Sequence, residues 1–211
     1  MNQVNLVHIT PNAEELISYM ARVSNPDNQN NTETSDKLIR YLIKHKHWSP
    51  FEMVNMCVDI RTTRSVAAQI LRHRSFSFQE FSQRYAKIQQ VPFLPQLRRQ
   101  DTKNRQNSID DLDEMTKDAL TDEIDHHFAE GMRLYNRLLE QGVAKECARE
   151  VLPLATPTHL YMNGTIRSWL HYCELRCANG TQSEHQDIAW AVRNILFKNV
   201  PGIARAMWAH D

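Results

Sequence analysis

The period of the hydrophobic pattern changes several times along the chain. Val4 to Ile9 alternates, which predicts a short strand. Thr10-Pro11-Asn12 reads as a helix start, with Glu15 three residues beyond Asn12 in capping-box position. Leu16, Ile17, Met20 and Val23 continue as a helical stripe, and Asn25 to Asn31 is a polar loop. Leu38, Ile39, Leu42 and Ile43 mark a second helix, which runs out near His45-Lys46-His47, where cations suit a helix C-terminus. After a break at Trp48-Ser49-Pro50, Glu52 to Arg61 alternates, with Val54, Met56, Val58 and Ile60 on one face. This is the clearest strand signal in the chain. Thr62 or Thr63 caps the next helix, whose Val66, Ala67, Ile70 and Leu71 turn inward.

Pro92, Pro95 and the run to Asn107 read as irregular or short-strand structure. A long helix then carries Ile124, Phe128, Met132, Tyr135, Leu138 and Leu139 and ends at Gly142. Ala144 to Leu152 is a short helix stopped by Pro153, and Thr156-Pro157-Thr158 reads as a turn. Ile166, Trp169, Leu170, Cys173 and Cys177 mark another helix. Ile188, Val192, Ile195 and Leu196 mark a last one, broken by Pro201. The reading is mostly helix with a few strands and no internal repeat.

Composition bounds the class. The chain has 211 residues, 41% hydrophobic and 24% charged, which fits a globular protein with a core, most simply one domain over residues 1–211. Basic and acidic residues number 25 each, so bulk charge argues against a nucleic-acid or membrane partner. The distribution is uneven. Residues 61–105 hold ten basic side chains against Glu80 and Asp101, and residues 108–130 hold nine acidic ones against Lys117. Positive potential is thereby concentrated in the middle of the chain. There is no apolar run of membrane-spanning length and no signal-peptide pattern, so a soluble, cytoplasmic protein is expected. Cys57, Cys147, Cys173 and Cys177 sit among apolar neighbours and read as reduced core residues. No second Cys or His pair completes a zinc pattern, and no metal site is expected.

The candidate chemistry lies in Gln69 to Tyr85. Arg72, His73, Arg74, Glu80 and Arg84 fall there among serines, glutamines and aromatics. Gln69, Arg72 and His73 sit three and four apart at a helix end and share a face. Clustered guanidinium forks suit a polyanionic ligand, and without a glycine-rich loop the side chains would have to hold it. Two alternatives stay open on the residues alone. The segment could be a solvated basic face, or Phe76, Phe78, Phe81 and Tyr85 could make it a single-stranded nucleic-acid platform. Other residues also read two ways. Arg74 could simply close a helix C-terminus, His171 could be a core histidine, and Arg149 could pair with Glu146 or Glu150. Ser82 with His73 could suggest a nucleophile and base, but no nucleophile elbow surrounds it.

Arg72-His73-Arg74, seven residues, then Ser82 resembles the signature of the flavin-dependent thymidylate synthases. His47-Trp48-Ser49-Pro50-Phe51-Glu52, Glu80 to Tyr85, Arg149 to Leu154, Arg167 and Leu175-Arg176 match in the same order over most of the chain. The resemblance implies an α/β (α+β) fold, a central mostly antiparallel sheet flanked by helices, assembled as a homotetramer with active sites at subunit contacts. It implies reductive methylation of dUMP to dTMP, with 5,10-methylenetetrahydrofolate as one-carbon donor and NADPH as reductant through bound FAD. By the same resemblance, Ser49, Arg72, His73, Arg74, Glu80 and Arg167 contact FAD. Thr165 and His171, which stand where many members carry Asn, do so as well. Gln69, Arg72, Glu80, Phe81, Ser82, Gln83, Arg84, Arg149 and Arg176 hold the nucleotide. Arg176 is the catalytic group beside the pyrimidine, and His47 lies near the flavin and folate path.

Overall fold

The computed structural model describes residues 2–208. Its centre is a four-stranded antiparallel sheet in the order β1 (Gln3–Ile9), β2 (Asn55–Thr63), β6 (Pro157–Thr165), β3 (Phe76–Glu80). The predicted alternation in the second strand is present, but the strand starts and ends later than the pattern suggested. Ser49–Glu52 closes into a 3₁₀ turn, because Pro50 near its start suits a tight helical turn. Thr62 and Thr63 belong to the strand, and Thr63 then takes the N-cap position of α3 (Arg64–Ile70). Its hydroxyl meets Ser65 Oγ at 2.8 Å instead of a backbone amide.

The inner strand β6 contradicts the turn read at Thr156-Pro157-Thr158. Pro157 opens the strand, where a missing N–H is tolerated, and pairs with Thr63 at the end of β2. Thr158, Leu160, Met162 and Gly164 all face the core. Gly164 is needed there because the ring of Phe76 lies across it. A Cβ at position 164 would stand 2.4 Å from Phe76 Cδ1. The asparagine start of α1 (Ala13–Ala21) is a second correction. Asn12 adopts a left-handed backbone with φ 51° and makes no side-chain cap, so the capping box with Glu15 does not form.

One face of the sheet carries Val54, Met56, Val58, Ile60, Leu160 and Met162 into the main core. Against it pack α1, α2 (Ser35–Lys44), α6 (Ile166–Arg176), α7 (Ser183–Asn199) and α8 (Pro201–Trp208). Burying a large apolar side chain stabilises by roughly 1.5–3 kcal/mol, so this layer dominates the fold. Trp169, fully buried, also donates from Nε1 to the Met56 carbonyl at 2.9 Å and ties α6 to β2. The other face is more polar and carries Asp59, Arg61, His159, Tyr161 and Asn163.

Arg99–Gln100 (β4) and Ser108–Ile109 (β5) form a separate two-stranded ribbon. The long helix α4 (Glu114–Glu140) starts at Asp113, whose carboxylate accepts from Thr116 N–H at 2.9 Å, and Gly142 follows it with φ 80°. Its lower half joins a small second cluster of Ile88, Tyr135 and Ala148, where the Ile88 amide donates to the Tyr135 hydroxyl at 3.1 Å. The expected short helix after it is one turn, α5 (Lys145–Ala148), followed by a 3₁₀ turn over Arg149–Val151. A single turn cannot bury a stripe, so Cys147 is exposed, contrary to its expected core position. Cys57 and Cys173 are buried and Cys177 is half-buried. Trp169 and Trp208 are core residues, whereas Trp190 is 43% exposed.

Candidate active site

The chain leaves the sheet at the end of β2, runs through α3, and returns as β3 on the far side of β6. The turn between α3 and β3 therefore carries Arg72, His73, Arg74 and Ser75. The helix ends at Ile70, so of Gln69, Arg72 and His73, expected together on its last turn, only Gln69 is helical. This turn lies along α6. Ser168 Oγ, in the first turn of α6, donates to the Ser75 carbonyl at 3.3 Å. Arg176, in the last turn, donates from Nε to His73 Nε2 at 2.9 Å.

His73 is half-buried and rests edge-on against Tyr172, with ring centroids 5.0 Å apart. Burial, then the Arg176 charge, then His171, push its pKa down to about 4. A neutral His73 can accept the Arg176 hydrogen bond without like-charge repulsion. That bond occupies Nε and orients the remaining guanidinium nitrogens. Behind the pair lies a polar network. Gln69 Nε2 donates to Gln182 Oε1 at 2.6 Å, and Gln182 Nε2 donates to Glu184 Oε2 at 2.8 Å. Glu184 is paired with Arg98 at 2.8 Å, both side chains largely buried. Burial alone would raise the Glu184 pKa, but the Arg98 and Gln182 hydrogen bonds hold it below the ordinary carboxylate range. His185, fully buried, meets Gln69 Oε1 at 3.3 Å and the Tyr172 hydroxyl at 3.1 Å.

A cleft of about 420 Å³ flanks the motif turn, lined among others by Trp48, Glu52, Ser75, Arg167, Ser168 and His171. Arg167 is paired with Glu52 across it. His171 is exposed, so it is not a core histidine. Thr165 caps α6, its Oγ1 accepting from Ser168 N–H at 3.2 Å. Ser49 begins the 3₁₀ turn below Trp48, and exposed His47 has its ring 6.0 Å from Tyr41. Arg72 and Arg74 stand exposed with no ion pair among the described residues.

Glu80, at the end of β3, accepts from Arg64 at 2.6 Å and from the Thr158 hydroxyl at 2.8 Å. Beyond it Phe81 N–H still pairs with the His159 carbonyl, and Ser82 opens a turn. Gln83 is buried, and its Nε2 has no partner among the described residues. Arg84 is held by Glu146 through Nε at 3.0 Å, and Arg149 by Glu150 at 3.3 Å. No hydrogen bond or ion pair joins Arg84 or Arg149 to His73 or Arg176 among the described residues. A larger cleft, about 550 Å³, lies beside Arg61, Lys87, Phe93 and His159, and only Phe81 of the expected site residues lines it. The polar side chains converge at the α3–β3 turn and not at the larger cleft.

The four aromatics of the motif do not form an exposed row. Phe76 and Phe78 pack against the main core, with Phe76 4.6 Å from Trp169. Only Phe81 and Tyr85 face solvent, so the stacking surface of a nucleic-acid platform is missing. Sequence reasoning missed Arg64, Arg98, Tyr172, Gln182, Glu184 and His185. A signal existed for two of them. His185 lies three residues before Ile188 on the inward stripe of α7, and Tyr172 three after Trp169 on that of α6.

An antiparallel sheet presents an arginine-rich turn against a histidine–arginine pair, a donor set whose chemistry suits an anionic ligand. Residues 5–202 match the family described as thymidylate synthase complementing protein, Thy1. A probable flavin-dependent thymidylate synthase of Paramecium bursaria Chlorella virus 1 is 55% identical over 195 residues, covering 92% of this chain and 90% of the relative. A flavin-dependent thymidylate synthase of Synechocystis is 50% identical over 194 residues, covering 92% and 89%. The crystal structure of a UMP/dUMP methylase, PolB from Streptomyces cacaoi, bound with 5-Br dUMP, superposes with a TM-score of 0.89 at 26% identity. It covers 99% of this chain and 95% of that one. The chain belongs to the flavin-dependent thymidylate synthase family, and the expected antiparallel sheet flanked by helices is the fold observed. Among the described residues no helix is long and apolar enough to cross a membrane.

Proposed function

We propose that the chain methylates dUMP to dTMP, with 5,10-methylenetetrahydrofolate as carbon donor and NADPH as reductant through FAD, as one unit over residues 1–211. The observation that carries this reading is the Arg176–His73 contact, flanked by the exposed Arg72 and Arg74. Two cations without carboxylate partners suit the diphosphate of FAD, so the donor set fits the cofactor. Ser49, Arg72, His73, Arg74, Glu80, Thr165, Arg167 and His171 would hold it, and His47 would stand by the folate path. When bound, FAD supplies the hydride chemistry of the reduction.

The protein's own part is binding and field. Gln69, Arg72, Glu80, Phe81, Ser82, Gln83, Arg84, Arg149 and Arg176 bind the nucleotide. Gln83 offers a buried, unpartnered N–H to a ligand oxygen. Arg84 and Arg149 suit the phosphate, with fork geometry that Lys lacks. Arg176, oriented by neutral His73, faces the pyrimidine, where negative charge develops as C5 becomes nucleophilic. A preorganised donor of this kind supplies roughly 3–4 kcal/mol. No step requires a covalent bond from Ser82 or a cysteine. Arg84 and Arg149 are engaged by Glu146 and Glu150 within this protomer, and the match of the motifs to the family supports completion of each site by another copy, in a homotetramer.

The test is the visible spectrum of the purified protein with dUMP, NADPH and methylenetetrahydrofolate, followed by chromatography for dTMP. A flavin band bleached by NADPH, with dTMP formed only when folate is present, is expected. Arg176→Ala should depress dTMP formation far more than NADPH oxidation. A protein that takes up no FAD, or a flavoprotein that forms no dTMP, refutes the reading.

A further inference from the structure

We propose that Tyr172 and His185 form a buried positioning pair that fixes the side-chain amide of Gln69 in the one orientation that binds nucleotide. The proposal rests on the reading that Gln69 contacts dUMP. Both residues of the pair are fully buried, on the inward faces of α6 and α7. A leucine and a phenylalanine would fill such positions without bringing polar atoms into the core, and burying those atoms is favourable only when each is paired. Here each is. Gln69 Oε1 can only accept, so the facing His185 Nδ1 carries the proton at 3.3 Å. His185 is then a neutral ring with a bare Nε2, and the Tyr172 hydroxyl donates to it at 3.1 Å. Burial, then the nearby Arg176 charge and the neighbouring His73, push the His185 pKa down to about 3, which agrees with a neutral ring.

On its other side the Gln69 Nε2 donates to Gln182 Oε1, which in turn is oriented by Glu184 and Arg98. The chain of donors runs in one direction from Tyr172 through His185, Gln69 and Gln182 to Glu184. Rotating the Gln69 amide by half a turn would set oxygen against oxygen at Gln182, whose Nε2 is held by Glu184. It would also set N–H against N–H at His185 unless the ring changed tautomer and gave up the Tyr172 donor. One Nε2–H of half-buried Gln69 remains outside this chain. It is aimed by the pair and would donate to an acceptor oxygen of the nucleotide. Tyr172 also backs the His73 ring, so the pair borders both site groups.

The experiment measures dUMP affinity by calorimetry on the FAD-loaded protein, with flavin content checked for each variant. His185→Leu should weaken dUMP binding about tenfold, the value of one well-placed hydrogen bond and its orientation. His185→Asn, whose amide can place an N–H where Nδ1–H stood, should recover most of that loss. In a Gln69→Ala background, His185→Leu should change affinity by less than about twofold, because the group it positions is gone. A tenfold loss in both backgrounds would mean a general packing role and overturns the proposal, as does unchanged affinity in His185→Leu. If His185→Leu does not fold, Tyr172→Phe removes one oxygen and should weaken dUMP about threefold. Unchanged affinity in that variant overturns the proposal too. Gln69→Ala with parental affinity would remove the nucleotide role of Gln69 and this proposal with it. Loss in Gln69→Ala without loss in His185→Leu removes only the positioning pair.

Discussion

Gly164→Ala tests whether the seat of Phe76 organises the motif. The added Cβ would lie 2.4 Å from Cδ1 and 2.7 Å from Cε1 of the Phe76 ring. Ordinary carbon contacts fall near 3.5–4.0 Å, so ring or strand must move by about 1 Å. The ring cannot swing away freely. Trp169 stands 4.6 Å from it, Tyr172 6.0 Å, Phe78 6.3 Å and His73 6.3 Å. Overpacking of this kind costs roughly 1–3 kcal/mol. Near the middle of that range, and at about 2–4 °C per kcal/mol for a chain of this size, the melting temperature should fall by ~4–8 °C. Phe76 is also three residues after His73, so the displaced strand should weaken dUMP binding. The assay is calorimetric unfolding at fixed protein concentration with saturating FAD, since ligand and assembly shift apparent stability. Combining Gly164→Ala with Phe76→Leu should be less destabilising than the sum of the two, by about 1 kcal/mol, because they share one contact. A melting temperature within about 1 °C of the parent, or strict additivity, would show that the Phe76–Gly164 contact carries no such weight.

Three further outcomes follow from the site. His73 and His185 are held at about 4 and about 3 in the folded chain, below their ordinary 6.5. Stability should therefore be full above pH 6.5 and decline as pH falls toward 3–4, at up to about 1.4 kcal/mol per pH unit for each proton. His185→Leu should flatten the fall in urea midpoint, and identical pH profiles for the two proteins would refute the assignment. Glu146→Gln releases Arg84 from an exposed ion pair and should tighten dUMP binding by up to about fivefold, whereas Arg84→Lys should weaken it about tenfold with flavin content unchanged. Calorimetry giving parental affinity for both would take Arg84 out of the phosphate site. Ser82→Ala and a variant lacking all four cysteines should both retain dTMP formation. Complete loss of turnover in either, with FAD and dUMP still bound, would show that an enzyme nucleophile is required.

Much of the candidate site was legible without coordinates because its signal is local. Gln69, Arg72, His73, Arg74 and Glu80 lie within one helix end, one turn and one strand, and their side-chain types announce anion chemistry. The strand β2 and the stripes of α2, α4, α6 and α7 were likewise written in the period of their apolar residues. The strand β6 was not, because Thr156-Pro157-Thr158 reads locally as a turn and Gly164 carries no strand signal of its own. Pro157 and Gly164 are acceptable only through partners elsewhere, Thr63 at the end of β2 and the ring of Phe76. The same holds for Asn12, whose left-handed backbone defeats a correct-looking capping box, and for Cys147, exposed because its helix is one turn long. Residue chemistry and local period are properties of neighbours in the chain, and those the sequence determined by itself. Which polar groups meet was decided by the tertiary structure. Arg176 reaches His73 across 103 positions and His185 reaches Gln69 across 116, distances that only the packing of α3, α6 and α7 closes.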